Sequence, residues 1–348
     1  MHKLAFCLNL LGVVVIVGCS GSTEAPPDAS VDSAALSDAP MQEDAMTPVL
    51  DADAPRPDAG SMADSPTEVG PYSVMRSEDR VRRDRREIPV DVHRPEGLTD
   101  APGVIMLSGF LLTSERYRSL AARIASHGFV VVQAVPPSSL RDANHVAMKE
   151  DVIAVLDWAV ETGVLASDAA VGVAGHSLGG KVAAMVAEED SRVRALLAID
   201  PVNGGNPFSG YSEQLPDIVP ELVSRISVPS GLMGETVNAS GGSFGMACAP
   251  RDQNFQTFFE AMAAAPWLVE WDFEGADHMD FLSDPEGCGF ACTQCSAGSA
   301  DPEQVVAATM TLSVAFFRQH LRGEDLGAFL SGASLPAGVN VRRPAGSL

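Results

Sequence analysis

The sequence predicts an α/β fold, in which a mostly parallel, twisted sheet carries helices on both faces. Three observations predict it. From residue 71 onward, short apolar runs alternate with longer segments of helical periodicity. No internal repeat interrupts this alternation. One longer apolar run lies at the extreme N-terminus, and no other approaches the roughly 20 residues of a membrane-spanning helix.

Two patterns predict the strands. Residues 86–93 place Ile88, Val90 and Val92 on one face, which is typical of a half-buried strand. The other strands are short continuous apolar runs, as expected for strands covered on both faces. These runs are 103–109, 129–135, 171–175, 195–199, 228–233 and 268–273.

Apolar residues three and four positions apart predict the helices between these strands. In 117–127, Leu120, Ala121 and Ile124 share one face, and Gly128 is suited to end the helix. The other predicted helices are 145–162, 178–188, 254–265 and 303–321.

The N-terminus indicates an exported protein. Residues 1–18 combine a basic start with an apolar run, which is typical of a signal peptide. Gly18 before Cys19 resembles a bacterial lipoprotein cleavage site, which implies that Cys19 becomes a lipidated first residue. We therefore expect a domain outside the cytoplasm, held at the bacterial cell envelope by a lipid anchor. Ser20 favours the outer membrane.

Residues 19–70 predict a disordered acidic tether of Ala, Asp and Pro, because they hold almost no large apolar side chains. Residues 71–348 then form one domain. The chain has 23 Lys and Arg against 46 Asp and Glu, a formal net charge of −23. This charge argues against a nucleic-acid partner, since phosphate binding needs basic excess. We expect a small-molecule or lipid-like partner, and the oligomeric state stays open.

The segment 175–180 reads GHSLGG and lies between a predicted strand and a predicted helix. This is the context in which a G-x-S-x-G turn lifts a nucleophilic serine above a sheet, so Ser177 is the predicted nucleophile. His176 beside it is interpreted as a packing or hydrogen-bonding residue.

The general base should follow the last strand, in the chain order serine, acid, histidine. His278 lies directly after the run 268–273, and the other histidines precede the serine, adjoin it or lie in the last helix. Asp200 ends the strand after the serine and is the favoured acid. Glu235, at the end of the following strand, is the alternative that stays open.

Two backbone N–H groups should form an oxyanion hole: that of Leu178, after the serine, and that of Phe110 or Leu111, after the run 103–109. The side chains of Phe110, Leu111, Leu112 and Tyr117 would form an apolar wall beside them. This chemistry requires no metal and no organic cofactor.

Four cysteines remain in the predicted domain: Cys248, Cys288, Cys292 and Cys295. In an exported protein an even set predicts two disulfides, with three possible connectivities. We expect one bridge within the last three cysteines and one that reaches Cys248. A four-cysteine zinc site is the alternative.

Several segments resemble chlorophyllases, which are α/β-hydrolases that cleave the phytyl ester of chlorophyll. The stretches that carry the resemblance are 110–112, 124–132, 175–181, 199–202, 248–250 and 277–282, in the order of that family. Polyester hydrolases and platelet-activating-factor acetylhydrolases look similar over the same stretch. The resemblance implies an α/β-hydrolase fold and a Ser–Asp–His triad of Ser177, Asp200 and His278.

Together these features predict a membrane-tethered serine ester hydrolase that works through an acyl-enzyme. The sequence leaves the ester open. A polyester depolymerase or an acyltransferase with the same site is the alternative. A surface lipoprotein that only binds an apolar ligand is a further alternative from another class.

Overall fold

The computed structural model describes residues 65–344, apart from 138, 140–142, 207–208, 243–246 and 263. The described residues belong to one structural unit, Pro57–Leu348. The signal peptide, Cys19 and most of the expected tether lie outside the described residues. No helix among the described residues is both long and apolar enough to cross a membrane.

Nine strands and six α-helices form the described chain. The strands are β1 (Val74–Arg83), β2 (Arg86–Pro95), β3 (Gly103–Leu107), β4 (Val130–Ala134), β5 (Val171–His176), β6 (Val193–Ile199), β7 (Ser230–Gly234), β8 (Leu268–Phe273) and β9 (Val339–Arg342). The helices are α1 (Arg118–Ser126), α2 (His145–Glu161), α3 (Leu178–Glu189), α4 (Phe255–Ala261), α5 (Pro302–Arg322) and α6 (Gly327–Ser331).

All nine strands join one sheet in the order β1-β2-β4-β3-β5-β6-β7-β8-β9. The six strands from β4 to β8 run parallel, whereas β1, β2 and β9 pair antiparallel at the two edges. The predicted mostly parallel sheet is confirmed. Because parallel strands end at the same edge, the segments after β3, β5, β6, β7 and β8 gather there.

Two apolar cores cover the two faces of the sheet. Alternate side chains of β3 show the division, since Ile105 packs with α2, α3 and α4, whereas Met106 packs with α1 and α5. Both side chains are at most 2% exposed. The central strands are therefore apolar on both faces, which is why they appear in the sequence as continuous runs.

Both edge strands were missed by sequence reasoning. Strand β1 is almost wholly exposed and mostly polar, so it offers no apolar alternation. Arg83, at the end of β1, and Arg86, at the start of β2, both pair with the carboxylate of Asp151, which is 0% exposed. Helix α4 is shorter than the expected 254–265, and residues 114–117 form a 3₁₀ turn before α1.

Residues 65–70, which precede the predicted domain start at residue 71, contact the domain. Residues 65–70 are described, and their backbone binds the end of α1. The N–H of Gly70 donates to Ser126 Oγ at 2.9 Å, and the carbonyl of Glu68 lies 3.0 Å from His127 Nε2. Such polar backbone contacts leave no apolar periodicity for sequence reasoning to detect.

Candidate active site

Ser177 occupies a strained turn between β5 and α3. Its φ is 56° and its ψ is −123°, a conformation that ordinary residues rarely adopt. Glycines permit the turn, because a Cβ at Gly175 would lie 2.2 Å from the carbonyl oxygen of Gly179. A Cβ at Gly179 would in turn lie 2.6 Å from the carbonyl oxygen of Ser108. The spacing of the motif is therefore set by close backbone approach.

His278 and Asp200 meet Ser177 above this turn. Ser177 Oγ lies 2.9 Å from His278 Nε2, and His278 Nδ1 lies 2.5 Å from Asp200 Oδ2. Because the carboxylate accepts a hydrogen bond from Nδ1–H, Nε2 is left to accept the serine proton. Asp200 is 0% exposed and His278 is 3% exposed, so bulk water does not weaken these contacts.

The loop after β3 lies against the serine. A Cβ at Gly109 would be 3.3 Å from Ser177 Cβ, which places Phe110 next to this contact. Leu111 turns the loop back with a φ of 59°. Leu178 begins α3, so its N–H has no acceptor within the helix. Both segments chosen for the oxyanion donors therefore border the serine.

A chain of buried hydrogen bonds, the buried relay, runs from Gly109 through Tyr117 and His176 to His278. It connects the loop after β3, the end of β5 and the loop after β8. Tyr117 Oη accepts a hydrogen bond from the N–H of Gly109 at 3.1 Å and donates to His176 Nδ1 at 2.7 Å. His176 Nε2 donates in turn to the carbonyl of His278 at 3.0 Å. A carbonyl only accepts, so this contact requires a proton on Nε2, and in the neutral ring Nδ1 then accepts from Tyr117. Burial holds the pKa of His176 well below its ordinary value, and the neighbouring His278 lowers it further.

The backbone N–H of His278 is held from another direction. It donates to Asn238 Oδ1 at 2.7 Å, while Asn238 Nδ2 donates to the carbonyl of Ser296 at 2.8 Å. Ser296 follows Cys295, which forms a disulfide with Cys248. This bridge therefore stabilises the segment that supports the loop after β8, which carries His278 and is called the histidine loop below.

The second disulfide joins Cys288 to Cys292. One bridge thus lies within the C-terminal cysteines and the other reaches Cys248. With all four sulfurs paired, the alternative of a four-cysteine zinc site is wrong, since zinc binds thiolates.

Glu235 lies on the other side of Asp200. Its N–H is 3.4 Å from Asp200 Oδ1, and its Oε2 accepts from the N–H of Asn238 at 2.8 Å. Burial and then the charge of Asp200 raise the pKa of Glu235 to about 9. One ligand atom each of Asp200, Glu235 and His278 lies within 4.8 Å of the others, a spacing compatible with a metal ion, but both ring nitrogens of His278 already bind Asp200 and Ser177.

A buried lysine supports the segment that follows Asp200. Lys181, on α3, donates to the carbonyls of Gly204 and Pro216 at 2.8 and 2.5 Å. Burial lowers its pKa to about 7, although the carboxylate of Asp217 acts in the opposite direction. Sequence reasoning assigned this lysine no role, because its partners are backbone carbonyls on a segment of irregular structure.

A cavity of about 450 Å³ opens beside Gly109. Its wall is largely apolar and includes Leu111, Leu112, Pro137 and Met148. Leu111 is 51% exposed, which is high for a large apolar side chain. Of the expected apolar wall, these leucines line the cavity, whereas Tyr117 is buried and makes the relay.

The sheet order and the strand–turn–helix at Ser177 define an α/β-hydrolase fold. A family model for chlorophyllases matches residues 65–336. The chain belongs to the chlorophyllase family.

Individual relatives are moderately similar. Chlorophyllase-1 of Arabidopsis thaliana is 29% identical over 254 residues, which cover 68% of this chain and 77% of that protein. Chlorophyllase-2 of the same plant is 27% identical over 254 residues, covering 65% and 75%. Chlorophyllase type 0 of Chenopodium album is 26% identical over 291 residues, covering 76% and 82%.

Proposed function

We propose that the protein is a serine ester hydrolase with Ser177 as nucleophile, His278 as general base and Asp200 as triad acid. The observation that carries the proposal is the line of hydrogen bonds from Asp200 through His278 to Ser177. Glu235 is not chosen as the acid, because Asp200 holds the hydrogen bond to His278 Nδ1.

The reaction proceeds in two halves. Ser177 Oγ attacks the ester carbonyl while His278 Nε2 takes its proton, and the N–H groups of Leu178 and Phe110 stabilise the oxyanion. The imidazolium then protonates the leaving alcohol as the tetrahedral intermediate collapses to an acyl-enzyme. Water, deprotonated by His278, attacks the acyl carbonyl, and Ser177 recovers its proton when the acid leaves.

The substrate we propose is a carboxylic ester with an apolar group. The shared name of the relatives, chlorophyllase, supports an ester substrate. The largely apolar cavity beside Gly109 supports an apolar substituent next to the oxyanion hole. We further propose that lipid on Cys19 tethers the enzyme to a membrane of a bacterial cell envelope, as the sequence implies.

Ser177→Ala tests the chemistry. We expect turnover of short p-nitrophenyl esters to fall by about 10⁴–10⁶-fold, as for other triads. The matched control is Ser224→Ala, because Ser224 is exposed and bonds only within its own turn. A fluorophosphonate should label wild type and fail to label Ser177→Ala. Equal turnover in the two proteins would refute the assignment, and an unlabelled wild type would indicate a binding protein.

Product analysis then shows whether water or an alcohol accepts the acyl group. Wild type should release free acid from esters, with chlorophyll, phospholipid and polyester film included in the panel. Predominant transfer of the acyl group to an added alcohol would favour an acyltransferase instead. Incorporation of labelled palmitate, lost in Cys19→Ala, tests the anchor.

A further inference from the structure

Two buried carboxyl groups, rather than one, flank the imidazole of His278. Asp200 follows β6 and Glu235 follows the neighbouring strand β7, and both are 0% exposed. One carboxylate oxygen of each and one ring nitrogen of His278 all lie within 4.8 Å of one another. A triad needs only one of these acids, so the second requires an explanation.

The hydrogen bonds show which carboxyl carries the charge. Asp200 faces the donor Nδ1 of His278, whereas Glu235 Oε1 is buried and has no hydrogen-bond partner among the described residues. Two carboxylates this close in a buried site do not both ionise at neutral pH. A proton on Glu235 removes that repulsion, and the raised pKa of this group agrees with it.

No other group that acts on Glu235 in the described part of the chain supplies a cation. Its Oε2 accepts from the backbone N–H of Asn238, and the carboxylate of Asp277, in the loop after β8, adds further negative charge. Among the described residues, the only positive charge that forms nearby is therefore that of His278 itself, when it takes the serine proton.

We propose that Glu235 is a second positioning acid, which stores a proton while Asp200 is charged and orients His278 when Asp200 is removed. The inference rests on the proposed function of the triad. Glu235 is one methylene longer than Asp200, so its carboxyl can move toward His278 Nδ1 once the space at position 200 is empty. Loss of the charge at position 200 also makes Glu235 easier to ionise.

Asp200→Ala and Asp200→Asn separate this role from ordinary loss of the acid. Asparagine fills the space. With its amide nitrogen toward His278 it favours the wrong tautomer of the ring, and with its oxygen there it carries no charge to stabilise the imidazolium, so about 10⁴-fold of kcat should be lost, as in other triads. Alanine empties the space, and we expect kcat at least about tenfold above that of Asp200→Asn. The residual activity should rise with pH as Glu235 ionises.

The double variant Asp200→Ala, Glu235→Gln is the decisive comparison. Adding Glu235→Gln should remove the residual activity and its rise with pH, and should cost far more here than in wild type. The full chain is assayed in detergent with a p-nitrophenyl ester, and circular dichroism verifies folding. If the double variant matches Asp200→Ala while wild type is active, the inference is overturned and the triad survives. An inactive wild type would instead overturn the proposed function and this inference with it.

An infrared measurement tests the stored proton without altering Asp200. The difference spectrum between wild type and Glu235→Gln at pH 7 should contain the C=O stretch of a protonated carboxyl group. That band should disappear above about pH 9. Its absence at pH 7 would overturn the inference even if the Asp200 variants fail to fold.

Discussion

Tyr117→Phe is the sharpest perturbation of the buried relay, because it deletes one hydroxyl group and keeps the ring. The side chain is 1% exposed, so water does not replace the hydroxyl. The hydroxyl accepts from the N–H of Gly109 and donates to His176 Nδ1. Both partners are left buried without a hydrogen bond, and both belong to segments that border Ser177.

The expected magnitude follows from these two orphaned groups. A buried donor or acceptor left unsatisfied costs about 1–3 kcal/mol, so two give about 2–6 kcal/mol of unfolding free energy. Gly109 directly precedes Phe110, whose N–H is the proposed second oxyanion donor. Loss of such a donor outright lowers kcat by about 10²–10³-fold, and displacement through a neighbour should lower it by about 10–100-fold.

Steady-state kinetics with a p-nitrophenyl ester should show this loss in kcat with little change in KM, since the oxyanion forms only in the transition state. Tyr72→Phe is the matched control. Tyr72 lies beside Gly128, which precedes β4 at the opposite edge of the sheet from the site. It should leave kcat unchanged.

The result that would refute this reasoning is a Tyr117→Phe protein with a lowered Tm and an unchanged kcat. The relay would then support folding only, and the loop after β3 would hold Phe110 by other contacts. A slower rate of fluorophosphonate labelling, measured in parallel, would place the defect before deacylation.

Three further outcomes are expected. Replacing Cys248 and Cys295 with serine should lower kcat in steady-state assays, because their bridge braces the histidine loop; the same change at the other disulfide, whose cysteines are four residues apart, should lower it less. Gly179→Ala should abolish fluorophosphonate labelling, since its Cβ would lie 2.6 Å from a carbonyl oxygen of the loop after β3. Burial lowers the pKa of His145 to about 3. Between about pH 6.5 and pH 3 only the unfolded chain therefore gains a proton at this residue, so Tm should fall as pH drops through that range. His145→Gln should make this fall in Tm smaller.

The elements that position the site could be predicted because they are local. Ser177 stands in a five-residue motif, 175–179, whose glycines allow the close backbone approach that the turn requires. The segment that carries His278 follows a buried strand. Parallel topology then brings strand ends together, so chain order alone indicates which residues gather. In the structure, His278 lies within hydrogen-bonding distance of both Asp200 and Ser177.

Sequence reasoning favoured Asp200 as the acid but left Glu235 open as the alternative. Both follow buried neighbouring strands, and their distinction depends on side-chain direction at a scale of a few ångströms. The relay was equally out of reach, since Tyr117 and His176 are separated by 59 positions and no periodicity connects them. Strand β1 was missed for a different reason, because an exposed edge strand needs no apolar face.

Hydrogen bonds to side chains fix the backbone position of the histidine loop. His278 lies outside helix and strand, yet its N–H is bound by Asn238 and its C=O by His176. Asp200 then fixes the ring itself, so three separate segments determine one imidazole. Because Ser296 holds Asn238 and Tyr117 holds His176, substitutions at these positions should displace the imidazole of His278 by a fraction of an ångström. Catalysis is sensitive to displacements of that size, so variants at Asn238 and Tyr117 should lower kcat although neither side chain is assigned a contact with the substrate.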